Sequence, residues 1–404
     1  MNNVAGKRKF VVLFFLMAMT FANLTLLFHV IPKLRNGYQD FTIFYTGARM
    51  IRNGQVSTLY DLAAQYRMQQ TFTNVPIRLG PLPFNHPPFE ALFFIPFTLL
   101  SYWPAYLLWS ALNIILLAAT LILLRRHSPQ LAAIPKLGLT LAATAFFPLT
   151  IGLIQGQDII LLLFLFVLAI TCIEQHNNAF AGALLGAGLF RPQTVVPLVL
   201  LLAIRRWRVL VGFVPVALVL FGVSVVLMGW RGPFHYVNFV LHLEGTKARA
   251  FGPEAVPNLR GLVAQLPGVS ASRPLTAFLI FASSMIVFFF TARRIRDGQD
   301  SVIFFSSLAA VTVILVSFHA LVYDFTLLFP VVLFLLARVV GVDRGKIDGT
   351  KPDRPTVLLF ILLFLTPLYI YLLLVVDRFF WFSLILLWLY FRLLLTPTPA
   401  EVPA

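Results

Sequence analysis

The chain has 404 residues, 59% of them hydrophobic and only 11% charged, with a mean hydropathy of +0.89. A soluble domain carries about twice that charged fraction, and the alternating strands of a membrane β-barrel are absent, so the chain reads as an all-α polytopic membrane protein. Its formal charge of +16 comes with no basic helix or aromatic RNA-binding motif, so Lys and Arg decorate membrane loops here and no nucleic acid is implied.

In chain order, Lys7-Arg8-Lys9 lead into an apolar run at 10–31. That run reaches the ~20 residues a span needs. It is too long for a signal-peptide core and has no small-residue cleavage site, so it predicts an uncleaved helix with a cytoplasmic N-terminus. Further apolar segments fall near 103–124, 138–154, 159–173, 179–190, 194–204, 209–229, 275–292, 301–317, 325–338, 355–375 and 379–395, which makes twelve predicted helices. The apolar segment 87–100 has only 14 residues and predicts a helix in or dipping into the interface. The single cysteine, Cys172, lies in an apolar run, so no disulfide framework exists. No internal repeat or soluble domain is evident. Residues 1–395 read as one integral-membrane domain with long outer loops at about 32–85 and 230–274, and 396–404 as a disordered tail.

With the N-terminus inside, Arg125-Arg126, Arg205-Arg206-Trp207-Arg208, Arg293-Arg294-Ile295-Arg296 and the stretch 338–354 all fall on the cytoplasmic side. These are the strongest short basic clusters, as the positive-inside rule requires. Both termini are then cytoplasmic.

The same topology collects the unusual polar residues on the outer face: Asp40, His86, Gln155, Gln157, Asp158, Arg191, Gln193, Asn258, Arg260, His319, Tyr323 and Asp324. Ionisable groups near helix ends of a membrane protein mark function by default. Structural readings stand beside this: Asp40 as the cap of a helix beginning at Phe41, Asp158 as a solvated cap, His86 as a loop former, and Arg191 as a lipid-headgroup contact. His319 and Asp324 are spaced to pair with each other. Glu90, beside an apolar run, has no evident reading. Walker, zinc-protease, CxxC and nucleophile-elbow motifs are all absent. The seven histidines lack metal-ligand spacing, so no metal or other cofactor is expected.

The run from Asp40 to Arg49, with Gly54 and Leu59-Tyr60-Asp61, then Phe84-Asn85-His86-Pro87-Pro88-Phe89, resembles the opening of glycosyltransferase family 87 in the GT-C superfamily. Gly156-Gln157-Asp158, Arg191-Pro192-Gln193, Asn258-Leu259-Arg260-Gly261 and Tyr323-Asp324 with Pro330 resemble its later motifs, in order. Arg191 stands where the family often has Lys, and Asp158 where it often has Asn. The resemblance implies a GT-C-like bundle and a polyprenyl-phosphate-mannose donor. It also implies transfer to a glycolipid or glycan on the outer face of the cell membrane, with Asp40 as catalytic base and no metal. An inverting transfer needs one carboxylate to take the acceptor proton. Arg191 and Arg260 suit the charge on the departing phosphate. His86 and His319 suit phosphate or sugar contact, and Gln157, Asp158, Asn258 and Asp324 complete the candidate substrate site. The alternatives are a secondary transporter or lipid-linked-sugar flippase, and a related enzyme using another lipid carrier.

Overall fold

The computed structural model describes residues 2–37, 39–73, 82–243, 252–269, 272–298, 300–343, 346–347 and 352–396. All twelve apolar segments are helical. The first is α1 (Asn2–Leu34). The first outer loop then folds into α2 (Phe41–Arg52), α3 (Leu62–Gln70) and α4 (Pro88–Phe93), with a 3-10 turn Ile95–Leu99 before α5 (Tyr102–His127). After the short α6 (Pro129–Ala132) come α7 (Lys136–Ala145), α8 (Phe147–Gln155), α9 (Ile159–Glu174), α10 (Asn178–Ala187), α11 (Pro192–Ala203) and α12 (Arg208–Met228). The second long loop holds α13 (Gly232–Leu243) and α14 (Leu259–Ala264). The chain closes with α15 (Arg273–Asp297), α16 (Val302–Val316), a 3-10 segment Val322–Leu328 running into α17 (Phe329–Val340), α18 (Arg354–Phe364), α19 (Thr366–Ile370) and α20 (Phe382–Leu394). Among the described residues the only strands are a two-residue antiparallel pair, Val342–Asp343 with Lys346–Ile347.

Among the described residues five helices are long and apolar enough to cross a membrane, or seven if each bent pair is one span. This is fewer than the twelve spans expected. Prolines near the starts of α8 and α19 accompany the two bends, of 65° between α7 and α8 and 59° between α18 and the segment from Thr366 to Val375. The remaining apolar helices have 10–17 residues, and at about 1.5 Å per residue the shortest covers half of a ~30 Å hydrocarbon core. Apolarity alone does not distinguish a segment buried in protein from one bathed in lipid. Eleven of the sixteen residues of α9 are buried, whereas α1 and α12 leave Phe14, Phe21, Phe28, Leu218 and Val226 exposed. The chain is a membrane protein with a helical core inside its lipid-facing shell. Segment 87–100, as α4 and its 3-10 turn, is too short to span. The predicted tail beyond Thr396 lies outside the described residues.

The connections sort into two ends. Arg205 donates to the Asp300 backbone, and Arg294 pairs with Asp300 and donates to the Thr396 carbonyl, so the ends of α11, α15 and α20 meet there. From that end α16 runs back to the 317–321 turn. The other end gathers the start of α2, the α8–α9 and α10–α11 turns, α13, and the turn after α16. The return through α10 depends on small residues. Gly182 lies so close to α12 that a Cβ would overlap the Val209 carbonyl, giving the close backbone approach that Gly-x-x-x-Gly spacing with Gly186 permits.

Candidate active site

Asp40 begins α2, yet its side chain makes no capping bond. Its Oδ2 instead accepts from Gln157 Nε2 at 2.7 Å, while its backbone N–H donates to Gln155 Oε1 at 3.0 Å. The capping alternative for Asp40 is therefore overturned. The turn that delivers both glutamines depends on Gly156, whose φ of +64 is left-handed and whose missing Cβ clears Phe41 and Tyr106. Trp109 Nε1 donates to the Gly156 carbonyl at 2.8 Å and fixes the turn to α5.

Asp158 does not cap α9 either. It is 1% exposed and faces Arg191. Arg191 Nε donates to Asp158 Oδ1 at 2.6 Å, Nη1 to Asp324 Oδ1 at 2.5 Å, and Nη2 to Gln157 Oε1 at 2.5 Å. Asp324 Oδ2 also accepts from the Leu321 N–H at 2.6 Å. Arg191 is 5% exposed and is committed to protein groups, so the lipid-headgroup reading does not describe it. Asp158, Arg191 and Asp324 are all buried, so each charge-assisted bond is stronger than at a surface, and removal of one partner is correspondingly damaging.

His86 opens the third part of the site. Its Nδ1 lies 2.7 Å from Glu90 Oε2, its carbonyl accepts from Tyr60 Oη at 2.8 Å, and its ring lies edge-on to Phe44. Glu90 is the residue that sequence reasoning missed. Its one legible signal was the four-residue spacing from His86 into a helical first turn. His86, Glu90 and Asp158 bring ligand-type atoms within 4.8 Å of one another, a set that sequence spacing did not reveal because Asp158 comes from a distant turn. Glu90 Oε1 and Asp158 Oδ2 accept no hydrogen bond. Two carboxylates this close require a proton or a cation between them. Burial first, opposed by His86 and reinforced by Asp158, pushes Glu90 up to about 8. Burial pushes His86 down, and Glu90 pulls it back above its ordinary value.

Asn258 and Arg260 are placed differently. Asn258 caps α14 by accepting from the Gly261 N–H at 3.2 Å and donates to the Ser317 carbonyl at 2.6 Å. Arg260 donates to the Phe318 carbonyl at 2.7 Å and lies over the Phe318 ring. Together they clamp the turn that carries His319.

A cavity of about 330 Å³ joins these parts. Asp40, His86, Gln157, Arg191, His319 and Tyr323 line its polar side, and Val237, Val240 and Leu241 of α13 its apolar side. Of the candidate residues, Asp158 and Asp324 stand behind Arg191, and Asn258 and Arg260 stand behind His319, so these four support the cavity without forming its wall.

The site combines a partly apolar cavity, a carboxylate on its wall and a buried arginine tied to two aspartates. The sequence matches the model of glycosyltransferase family 87 over residues 84–317, more than half of the chain. The chain belongs to that family and is a membrane glycosyltransferase. No curated protein and no solved structure shows a significant match. The matched stretch contains His86, Glu90, Gln157, Asp158, Arg191, Asn258 and Arg260. Asp40, His319 and Asp324 lie outside it and join the site through the fold.

Proposed function

We propose that the enzyme transfers a sugar, mannose in the first instance, from a polyprenyl-phosphate donor to a hydroxyl of a glycolipid or glycan acceptor. The reaction is assigned to the extracytoplasmic face of the cell membrane. The observation that carries this reading is Asp40, a carboxylate on the wall of a partly apolar cavity and held by Gln157. As the acceptor oxygen attacks the anomeric carbon, Asp40 takes its proton. The bond to phosphate breaks on the opposite face, the phosphate oxygen keeps the electron pair, and the anomeric configuration inverts. His319 and His86 are the cavity groups suited to the phosphate oxygens, and the apolar α13 side suits the first isoprene units. No cofactor beyond the lipid-linked donor takes part. Transfer is expected to continue in excess EDTA.

The test is incubation of purified protein in lipid with radiolabelled polyprenyl-phosphate-mannose and host lipid extract, comparing wild type with Asp40→Asn. Label is expected in a new product with wild type only. Equal transfer by the variant would remove Asp40 from the chemistry. Movement of unaltered lipid-linked sugar across the bilayer, with no product, would favour the flippase alternative.

A further inference from the structure

The geometry points to Gln157 and Arg191 as a positioning device for Asp40, with Arg191 acting through the Gln157 amide and not as a contact for the donor phosphate. This rests on the assignment of Asp40 as base.

Arginine has donors and no acceptor. The Gln157 atom 2.5 Å from Arg191 Nη2 must therefore be the carbonyl oxygen, which leaves the amide N–H to face Asp40 Oδ2 at 2.7 Å. Without the guanidinium the amide could flip and point an oxygen at the carboxylate. Arg191 is itself immobilised, with Nε on Asp158 and Nη1 on Asp324. The Gln157 backbone is fixed by the Gly156 turn. Each guanidinium nitrogen already donates to protein, and two carboxylates flank the charge, so drawing Arg191 onto a phosphate would break bonds it already makes. The signal is a network of four side chains, brought together from three separate turns, that ends on one oxygen of the base.

The device predicts a signature in turnover. Gln157→Glu keeps the acceptor for Arg191 and turns the other oxygen toward Asp40 as a like charge. The titratable and charged groups around Asp40 otherwise stay the same: Tyr102 of α5, Tyr323, Asp158, Asp324, Arg191, His86 and His319. The acid limb of the kcat–pH profile is expected to move up by about one unit or more, because a neighbouring carboxylate disfavours ionised Asp40. At neutral pH kcat is expected to fall about tenfold or more, with donor KM within about twofold of wild type because uniform binding is untouched. Arg191→Lys keeps the charge and loses the planar fork, and the same split is expected: lower kcat, unchanged donor KM. If Gln157→Glu does not fold, Gln157→Met removes the bond without adding charge and is expected to lower kcat at constant KM.

A raised donor KM at unchanged kcat in Arg191→Lys would make Arg191 a phosphate contact and overturn the proposal, as would an unmoved acid limb in Gln157→Glu. Full activity in Asp40→Asn would sink the base assignment itself. An inactive Asp40→Asn beside wild-type behaviour in the Gln157 variants would sink the device alone.

Discussion

Arginine–aspartate pairs occupy both ends of the helices, and the buried set at the site differs from the exposed set on Asp297 in almost everything but composition. At the site end Arg191 is 5% exposed and lies between Asp158 and Asp324. At the other end Arg293 and Arg296 share Asp297, with these side chains between 51% and 69% exposed. Water screens the second set and leaves it little net energy. The first set was desolvated on folding, so its members depend on one another. What makes Arg191 structural is its surroundings.

Several substitutions would break or sharpen that contrast. The largest effect is expected for Arg191→Leu, which leaves two buried carboxylates without a counter-charge. Unfolding in detergent should show a loss of about 3–5 kcal/mol. Combining Arg191→Met with Asp158→Asn and Asp324→Asn removes the whole charged set, and stability should then recover while transfer does not. Gly156→Ala forces a side chain into a left-handed turn against Phe41, with an expected loss of about 1–2 kcal/mol and a parallel loss of kcat as Gln157 moves.

A pH-dependent effect is expected from Glu90. Its folded value of about 8 lies above its ordinary 4.5, so between these values the folded chain holds a proton that the unfolded chain releases. Stability tied to Glu90 is therefore fully present below the lower value and is lost as pH rises through the higher one. The upward shift of His86 has the same sign. The melting temperature should decline across that window, and Glu90→Gln should flatten the decline. At the bottom of the scale, Asp297→Asn should change stability by less than about 0.5 kcal/mol. A loss as large as that of Arg191→Leu would erase the distinction between the two ends.

The sequence and the structure agree where chemistry is local and part where it is not. Every apolar segment became a helix because a helix satisfies its own backbone polar groups where neither water nor other polar partners can. Span number did not follow, because α9 and α16 are as apolar as lipid-facing helices and are buried in protein instead. Asp40, Gln157 and Arg191 could be singled out as polar residues at helix ends. That they join one chain could not, since Asp158 is 33 residues and Asp324 133 residues from Arg191. A lone arginine in an apolar sequence reads as an anion contact until the fold brings its partners to it. Asn258 and Arg260 show the same limit: their motif is visible, but its work on the Ser317–Phe318 backbone belongs to tertiary structure.

The central claim is that the cavity beside Asp40 is where a lipid-phosphate sugar reacts. The most direct measurement is an electron cryomicroscopy structure of Asp40→Asn in lipid with a polyprenyl-phosphate sugar bound. The anomeric carbon is expected beside residue 40, the phosphate on the opposite side of the sugar toward the histidines, the prenyl chain along α13, and Arg191 still held by Asp158 and Asp324. A donor bound away from residue 40, or a phosphate that has drawn Arg191 off its two aspartates, would contradict it.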